Sequence, residues 1–474
     1  MVETLTPDIC VIGGGAAGLS VAAGAAAFGV PVVLVERSRM GGDCLNYGCV
    51  PSKALIAAAK HAQAIRKATE FGVSAGEPII DYARLRARIH SVIEGIAPHD
   101  SVDRFTGLGV KVIEDAARFL DERTVAAGDH LIRARRFVIA TGSSPAVPPI
   151  HGLAETPFLT NETLFELKRL PEHLVIIGAG PVGLEMAQAY RRLGSRVTVI
   201  ESSAALSRED PELAAIALAE IRAEGTLLLE RTMIHSVEQA TRGIRLLCET
   251  GKGRFHVEGS DLLLAAGRAP SHASLDLDAA GIRQDAGRIK LGADLRTSNR
   301  RVYAIGDAAG GLQFTHAASY HARLVLQQIL FRLPAHEARD IVPRVTFMDP
   351  ELAQVGLTEQ EAREKSGSAD VVRWDFSGND RARTDGLGRG LIKIVVGRRG
   401  RILGAGIAGA GAGEMINLWA FAITNRLTLK HFRGYVAPYP TVSEIGKQAS
   451  ISYYAPMARN RLVRSVIRML RCFG

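Results

Sequence analysis

"DICVIGGGAAGLSVAAGAAAFGVPVVLVE", residues 8–36, carries no charge between its first and last residues and sets three glycines side by side. A run this long and apolar has the size of a signal peptide or membrane span. The details point elsewhere, because the flank before it is acidic (Glu3, Asp8) and Pro31 interrupts it. Read as strand, glycine turn, small-residue helix and second strand, it places Gly13, Gly15 and Gly18 at G-x-G-x-x-G spacing and closes on Glu36. The glycines permit a tight turn and close approach to a pyrophosphate, the helix N-terminus favours the anion, and Glu36 can accept ribose hydroxyls.

The pattern returns once. "HLVIIGAGPVGLEMAQAYRRLGSRVTVIE", residues 173–201, carries Gly178, Gly180 and Gly183 and closes on Glu201, so two dinucleotides are expected. A lone glycine motif is weak; two, each between strand and helix and each ending on an acid, are not. Shorter strands follow both copies and end in small-residue turns: "RFVIATGSSP" at 136–145, with Thr141 and Gly142, and "DLLLAAGRAP" at 261–270, with Gly267. "RVYAIGDAAG" at 301–310 ends an apolar strand on Asp307, a position suited to a sugar-like hydroxyl or to capping the next helix.

The whole chain, 474 residues at 47% hydrophobic and 5% aromatic, has a globular composition and the length of about three domains. Five cysteines do not make a disulfide framework, and a cytoplasmic location is expected. The net charge is +9, and five arginines after Met457 (Arg459, Arg461, Arg464, Arg468, Arg471) supply more than half of it. No recognisable basic binding module remains, so no nucleic-acid partner is expected. In the tail, Leu462, Val463, Val466, Ile467, Leu470 and Phe473 recur at helical spacing with arginines between them. Such a helix suits an anionic membrane surface, at the inner face of the bilayer, or packing on its own dimer.

"GGDCLNYGCVPSK", residues 41–53, holds Cys44 and Cys49. A close pair in such a chain is catalytic or metal-binding. Without a second Cys/His pair a metal clip is disfavoured, and no metal site is expected. Taken with the doubled glycine motif, the A-T-G and A-G-R turns and the "YAIGD" strand, this stretch resembles the FAD-dependent pyridine nucleotide-disulfide oxidoreductases, the group that includes dihydrolipoamide dehydrogenase, glutathione reductase and mercuric reductase. The resemblance runs over nearly the whole chain. It implies an α/β protein with two Rossmann-like dinucleotide-binding domains and a C-terminal α+β dimerisation domain. The expected segments are 1–148 and 271–340 for FAD, 149–270 for NAD(P), 341–450 for dimerisation in a homodimer, and 451–474 for the basic tail.

By the same resemblance, Cys44 and Cys49 form a redox disulfide, with Cys49 against the flavin and Cys44 facing the substrate. A helix N-terminus and a nearby lysine would favour the reactive thiolate. Lys53 resembles the lysine at the flavin's reactive edge and Glu185 its buried ion-pair partner; Thr315 opens a segment like the helix whose N-terminal backbone contacts the flavin. Glu201 favours NADH, while Arg208 leaves NADPH open. Pro181 stands where some relatives carry an aromatic gate over the flavin, so access for the nicotinamide is expected to be open.

One departure changes the chemistry. The disulfide reductases of the family place a histidine five residues before a glutamate, an acid/base pair supplied by the other subunit, and here "YVAPYPTVSEIGKQAS" has Tyr439 ahead of Glu444. Tyrosine, with an ordinary pKa near ~10, is a poor base for thiol exchange. The stretch looks most like that of the mercuric-reductase-like FAD oxidoreductases. The expectation is therefore an NAD(P)H oxidoreductase passing electrons through FAD and the disulfide to a small-molecule acceptor. Three alternatives stay open. Tyr439 counts against dihydrolipoamide dehydrogenase, a single terminal cysteine (Cys472) in place of an adjacent pair counts against mercuric reductase, and Cys44, Cys49, Lys53 and Glu185 count against a flavin-binding interaction protein without turnover. Cys10 and Cys248 read as core, His316 and His321 as packing or capping residues, and Arg398, Arg399 and Arg401 as a solvated hairpin turn.

Overall fold

The computed structural model describes residues 2–473 and divides into two compact units, Ala204–Gly225 with Arg339 onward forming the second. In the first unit residues 8–36 fold as strand Ile9–Ile12, helix Ala16–Ala26 and strand Val32–Val35. These strands sit in a five-stranded parallel sheet in the order Val302–Ala304, Arg136–Ile139, Ile9–Ile12, Val32–Val35, Lys111–Ile113. Both central strands are buried along their whole length, which explains why they read as unbroken apolar runs instead of alternating ones. Helix Ala16–Ala26 packs on helix Thr315–Phe331. A Cβ at Gly24 would stand 2.5 Å from Leu326, so the small-residue composition permits the close approach.

The second copy repeats the first. Strand His173–Ile177, helix Pro181–Leu193 and strand Arg196–Ile200 belong to a four-stranded parallel sheet in the order Leu227–Leu229, Arg196–Ile200, His173–Ile177, Asp261–Leu264. The turns coincide in detail. Gly13 (φ +112°) and Gly178 (φ +108°) are left-handed, and a Cβ on them would lie 2.3 Å from the Ala140 carbonyl and 2.4 Å from that of Ala265. A Cβ on Gly18 or Gly183 would lie 1.9 or 2.0 Å from the carbonyl of the copy's first glycine. Only glycine fits at either position. Ser143–Pro145 and Arg268–Pro270, each following one sheet's last motif, pair as an antiparallel ribbon.

The second unit is built on an antiparallel sheet in the order Arg344–Thr346, Glu351–Gly356, Ile402–Gly409, Leu391–Val396, Asp370–Asp375. Arg398, Arg399 and Arg401 are exposed in the turn between Leu391–Val396 and Ile402–Gly409. Helix Pro211–Ala223 packs with this unit, although a boundary at 270 leaves it with the nicotinamide segment. The physical reason is local: Leu213 fills the space where Gly406 has no side chain, and buried Lys393 reaches Asp210 at 2.8 Å, Glu212 at 3.0 Å and Glu359 at 2.9 Å. Among the described residues no helix is long and apolar enough to cross a membrane.

Candidate active site

Cys49 is the first residue of helix Cys49–Lys67, and Cys44 lies in the short helical segment Gly42–Asn46 just before it. Both are free cysteines, and they hydrogen-bond to each other. Cys49 Sγ lies 3.4 Å from Thr315 Oγ1 at the start of helix Thr315–Phe331. One turn along from Cys49, Lys53 Nζ donates to Glu185 Oε2 at 2.8 Å, and Glu185 is buried in helix Pro181–Leu193.

This setting separates the two sulfurs. The hydrogen bond from Cys44, then that from Thr315 and the charge of Lys53, outweigh burial and bring Cys49 down to about 6. The hydrogen bond with Cys49, then burial, push Cys44 far up. These opposite directions favour the negative charge on Cys49 over Cys44. Cys10 and Cys248 are buried, and burial raises both, Cys248 to about 11. Cys472 is exposed.

The two acids that close the glycine motifs take matching positions. Glu36 accepts from the amides of Gly14 at 2.5 Å and Ser38 at 2.7 Å; Glu201 accepts from those of Ala179 at 3.0 Å and Ser203 at 2.9 Å. Burial raises Glu201, but these amides and the Ser203 hydroxyl prevail and hold it below the usual carboxylate range. Asp307 accepts from Ser143 Oγ at 2.5 Å, and burial raises its carboxyl. His321 supports that turn: its Nδ1 accepts from the Gly306 amide at 3.2 Å and its Nε2 faces Glu337 at 3.1 Å. His316 stacks on Phe314.

The loops fit dinucleotides. Helices Ala16–Ala26 and Pro181–Leu193 both start at a glycine with no side-chain cap, which leaves first-turn amides for an anion. Nothing lies within 4 Å of a Cβ built on Gly142, Gly180 or Gly267. The Thr141 hydroxyl is buried with no partner among the described residues, beside the Gly13 turn. Tyr439 and Glu444 belong to the second unit. Tyr439 is 70% exposed, and its hydroxyl donates to Asp380 at 3.1 Å, which raises its pKa. Glu444 is half-buried and accepts from Gln448. Among the described residues no group of three His, Cys, Asp or Glu is placed to hold a metal ion.

Residues 7–322 match the pyridine nucleotide-disulphide oxidoreductase family, and residues 342–450 match its dimerisation domain. The chain belongs to this family. It is 34% identical over 460 residues to a mercuric reductase of Streptomyces lividans, covering 95% of this chain and 97% of that protein. A mercuric reductase of Acidithiobacillus ferrooxidans is 36% identical over 465 residues, covering 94% and 82%. The Cu(II) complex of the HOCl-induced flavoprotein disulfide reductase RclA from Escherichia coli has 29% identity and a TM-score of 0.82, covering 93% and 98%. LpdA from Mycobacterium tuberculosis has 26% identity and a TM-score of 0.86, covering 96% and 100%. The family is FAD-dependent and uses NAD(P)H, and its members related to this chain are enzymes. Arg268 of the A-G-R turn and Asn161 both reach Asp43, the residue before Cys44, and no pattern in the sequence links these three.

Proposed function

We propose that this protein is a homodimeric oxidoreductase in which two electrons pass from NAD(P)H through bound FAD and the Cys44–Cys49 disulfide to a small acceptor. The observation that carries the reading is the thiol pair at a helix N-terminus, with Thr315 on one side and the Lys53–Glu185 ion pair one turn away. FAD takes the segments 1–148 and 271–340, with Glu36, Thr141, Gly142 and Asp307 around it, and NADH takes 149–270 at Glu201. Bound FAD supplies a two-electron relay between the nicotinamide and the sulfurs. Two electrons and one proton open the disulfide to a Cys44 thiol and a Cys49 thiolate. Cys44 keeps the proton, and Thr315 and Lys53 favour the charge on Cys49. Loss of two electrons to the acceptor releases that proton and re-forms the S–S bond.

Tyr439 narrows the acceptor. Its raised hydroxyl is no base at neutral pH, which disfavours lipoamide and glutathione disulfide and favours a metal ion, quinone or other small electrophile. The mercuric reductases and the Cu(II) complex among the relatives favour a metal ion within that set. The test is anaerobic stopped-flow reduction with NADH, followed by mixing with lipoamide, glutathione disulfide, Hg(II), Cu(II) and quinones. Rapid reoxidation by the two disulfides alone would reject the acceptor class.

The reading extends to the tail. Helix Arg461–Leu470 is exposed apart from half-buried Val463, and Asn460 caps its start at the Leu462 amide. At ~100° per residue, Leu462, Val463, Val466, Ile467, Met469 and Leu470 span an arc of about 160°, and Arg461, Arg464, Arg468 and Arg471 occupy the opposite side. That division suits an anionic bilayer surface, where each arginine contributes roughly 1 kcal/mol. Deletion after Ala455 is expected to abolish binding to anionic liposomes and leave NADH oxidation intact. A full-length protein that ignores such liposomes leaves packing on the dimer as the role of the helix.

A further inference from the structure

Arg268 sits at the centre of a polar network that the electron path above does not use. Its side chain is 20% exposed and reaches four segments of the first unit. Nε donates to Ser143 Oγ and Nη2 to the Ser143 carbonyl, both at 2.7 Å; Nη1 donates to Asn161 Oδ1 at 3.3 Å. Nη2 pairs with Asp43 Oδ1 at 3.2 Å, and Asn161 Nδ2 donates to the same oxygen at 2.8 Å. Ser143, having accepted from Arg268, donates to Asp307, whose carboxylate lies 3.8 Å from Nε.

Two carboxylates therefore share one guanidinium. Asp43 immediately precedes Cys44, and its charge disfavours the thiolate form of both cysteines. A planar, permanently charged fork can hold Asp43, the Ser143 backbone and Asn161 together in a way that an ammonium cannot. We infer that Arg268 is a positioning residue for the thiol pair: it ties Asp43, and with it the segment carrying Cys44, to the Ser143 turn, and it neutralises that carboxylate beside the sulfurs. The inference rests on the proposed redox role of Cys44 and Cys49.

The charged and titratable groups acting on Cys49 are Cys44 and Asp43 from the preceding segment and Lys53 from its own helix, with the Thr315 hydroxyl from helix Thr315–Phe331. Only Asp43 among them is paired with Arg268. Removing the guanidinium therefore exposes Cys49 to an uncompensated negative charge, and removing Asp43 as well takes that charge away.

The experiment measures the ionisation midpoint of Cys49 in the flavin-loaded protein by two readouts. One is the long-wavelength absorbance of the two-electron-reduced enzyme against pH; the other is the iodoacetamide alkylation rate of Cys49 against pH, followed by peptide mass. R268Q is expected to raise the midpoint by about one pH unit, D43N to lower it, and R268Q/D43N to return it towards the wild-type value. An unmoved midpoint in R268Q with flavin retained overturns the inference. So does a displacement that survives in the double variant, because a purely structural defect is not repaired by losing a carboxylate. If R268Q fails to retain flavin, D43N decides alone, and an unmoved midpoint there overturns the inference. Absence of the absorbance band in wild type rejects the redox reading, while alkylation still tests Arg268 by itself.

Discussion

The thiol pair and the Tyr439 loop are the two places to which the proposed function assigns redox and acid/base chemistry, and in this chain they are built differently. Cys49 is held by groups from several separate segments: Cys44 before it, Lys53 on its helix and Thr315 far along the chain, with Glu185 fixing the lysine. Tyr439 is exposed, and among the described residues its hydroxyl bonds to Asp380. Pre-organisation on rigid elements fixes reactivity, whereas among the described residues of one chain the Tyr439 hydroxyl has Asp380 as its hydrogen-bond partner. On the proposed function, the contrast sets a thiol pair with several built-in neighbours against a tyrosine whose hydroxyl meets Asp380.

The largest effect tests the first half of that contrast. Cys49→Ser is expected to abolish acceptor turnover and the long-wavelength absorbance of the two-electron-reduced enzyme, measured anaerobically with NADH. An unchanged spectrum would remove Cys49 from the electron path. In the wild type the same band has a predicted pH dependence. The charged form of Cys49 exists above its midpoint, so the band disappears as pH falls through about 6 and persists as pH rises towards the ordinary thiol range. A midpoint near the ordinary thiol value would mean that Thr315, Lys53 and Cys44 do not stabilise the thiolate.

The second prediction tries to repair the other half. Tyr439→His, placed ahead of Glu444, is expected to raise lipoamide or glutathione disulfide turnover by ~10²-fold without accelerating reduction by NADH. Wild-type lipoamide turnover limited only by NADH reduction would break the comparison, because another base would then serve the dithiol.

Legibility in the sequence follows the same division. The two glycine copies were readable because each requirement lies within thirty residues: apolar strand, glycines without room for a Cβ, helix, closing acid. The bonds of Glu36 and Glu201 to the amide after each first glycine repeat that local order in space. The A-G-R turn was readable but the Arg268 network was not, since its partners Ser143 and Asn161 stand 125 and 107 residues away. Chain order alone keeps helix Pro211–Ala223 with the segment 149–270. Its packing is decided by Leu213 at Gly406 and by a buried lysine in the run "LIKIVV", where nothing in the pattern names the three carboxylates it meets.

A third prediction compares the two copies at their acids. Glu201→Gln retains an acceptor but removes the charge that repels a 2'-phosphate, so the NADH-over-NADPH ratio of kcat/KM is expected to fall about tenfold, as loss of a charge-assisted hydrogen bond would give. The ratio is read from steady-state rates with both coenzymes. Equal or reversed rates in the wild type would mean that Arg208 or another group, not Glu201, decides the preference.

The smallest effect is expected where the comparison is sharpest. Tyr439→Phe removes only a hydroxyl that is exposed and bonded to Asp380, so thermal stability should change by less than ~0.5 kcal/mol, the range of ordinary surface substitutions. Reduction by NADH should be unaffected, and turnover with the acceptor found by the panel should fall less than about twofold, because a phenol held above its ordinary pKa stays protonated near neutrality and cannot take a proton from a thiol. Comparing this variant with Tyr439→His separates absence of chemistry from chemistry of a different kind. A loss of tenfold or more in acceptor turnover, with unchanged NADH reduction, would make the hydroxyl a proton donor or substrate contact. The Tyr439 loop would then be a working site whose organisation depends on the acceptor.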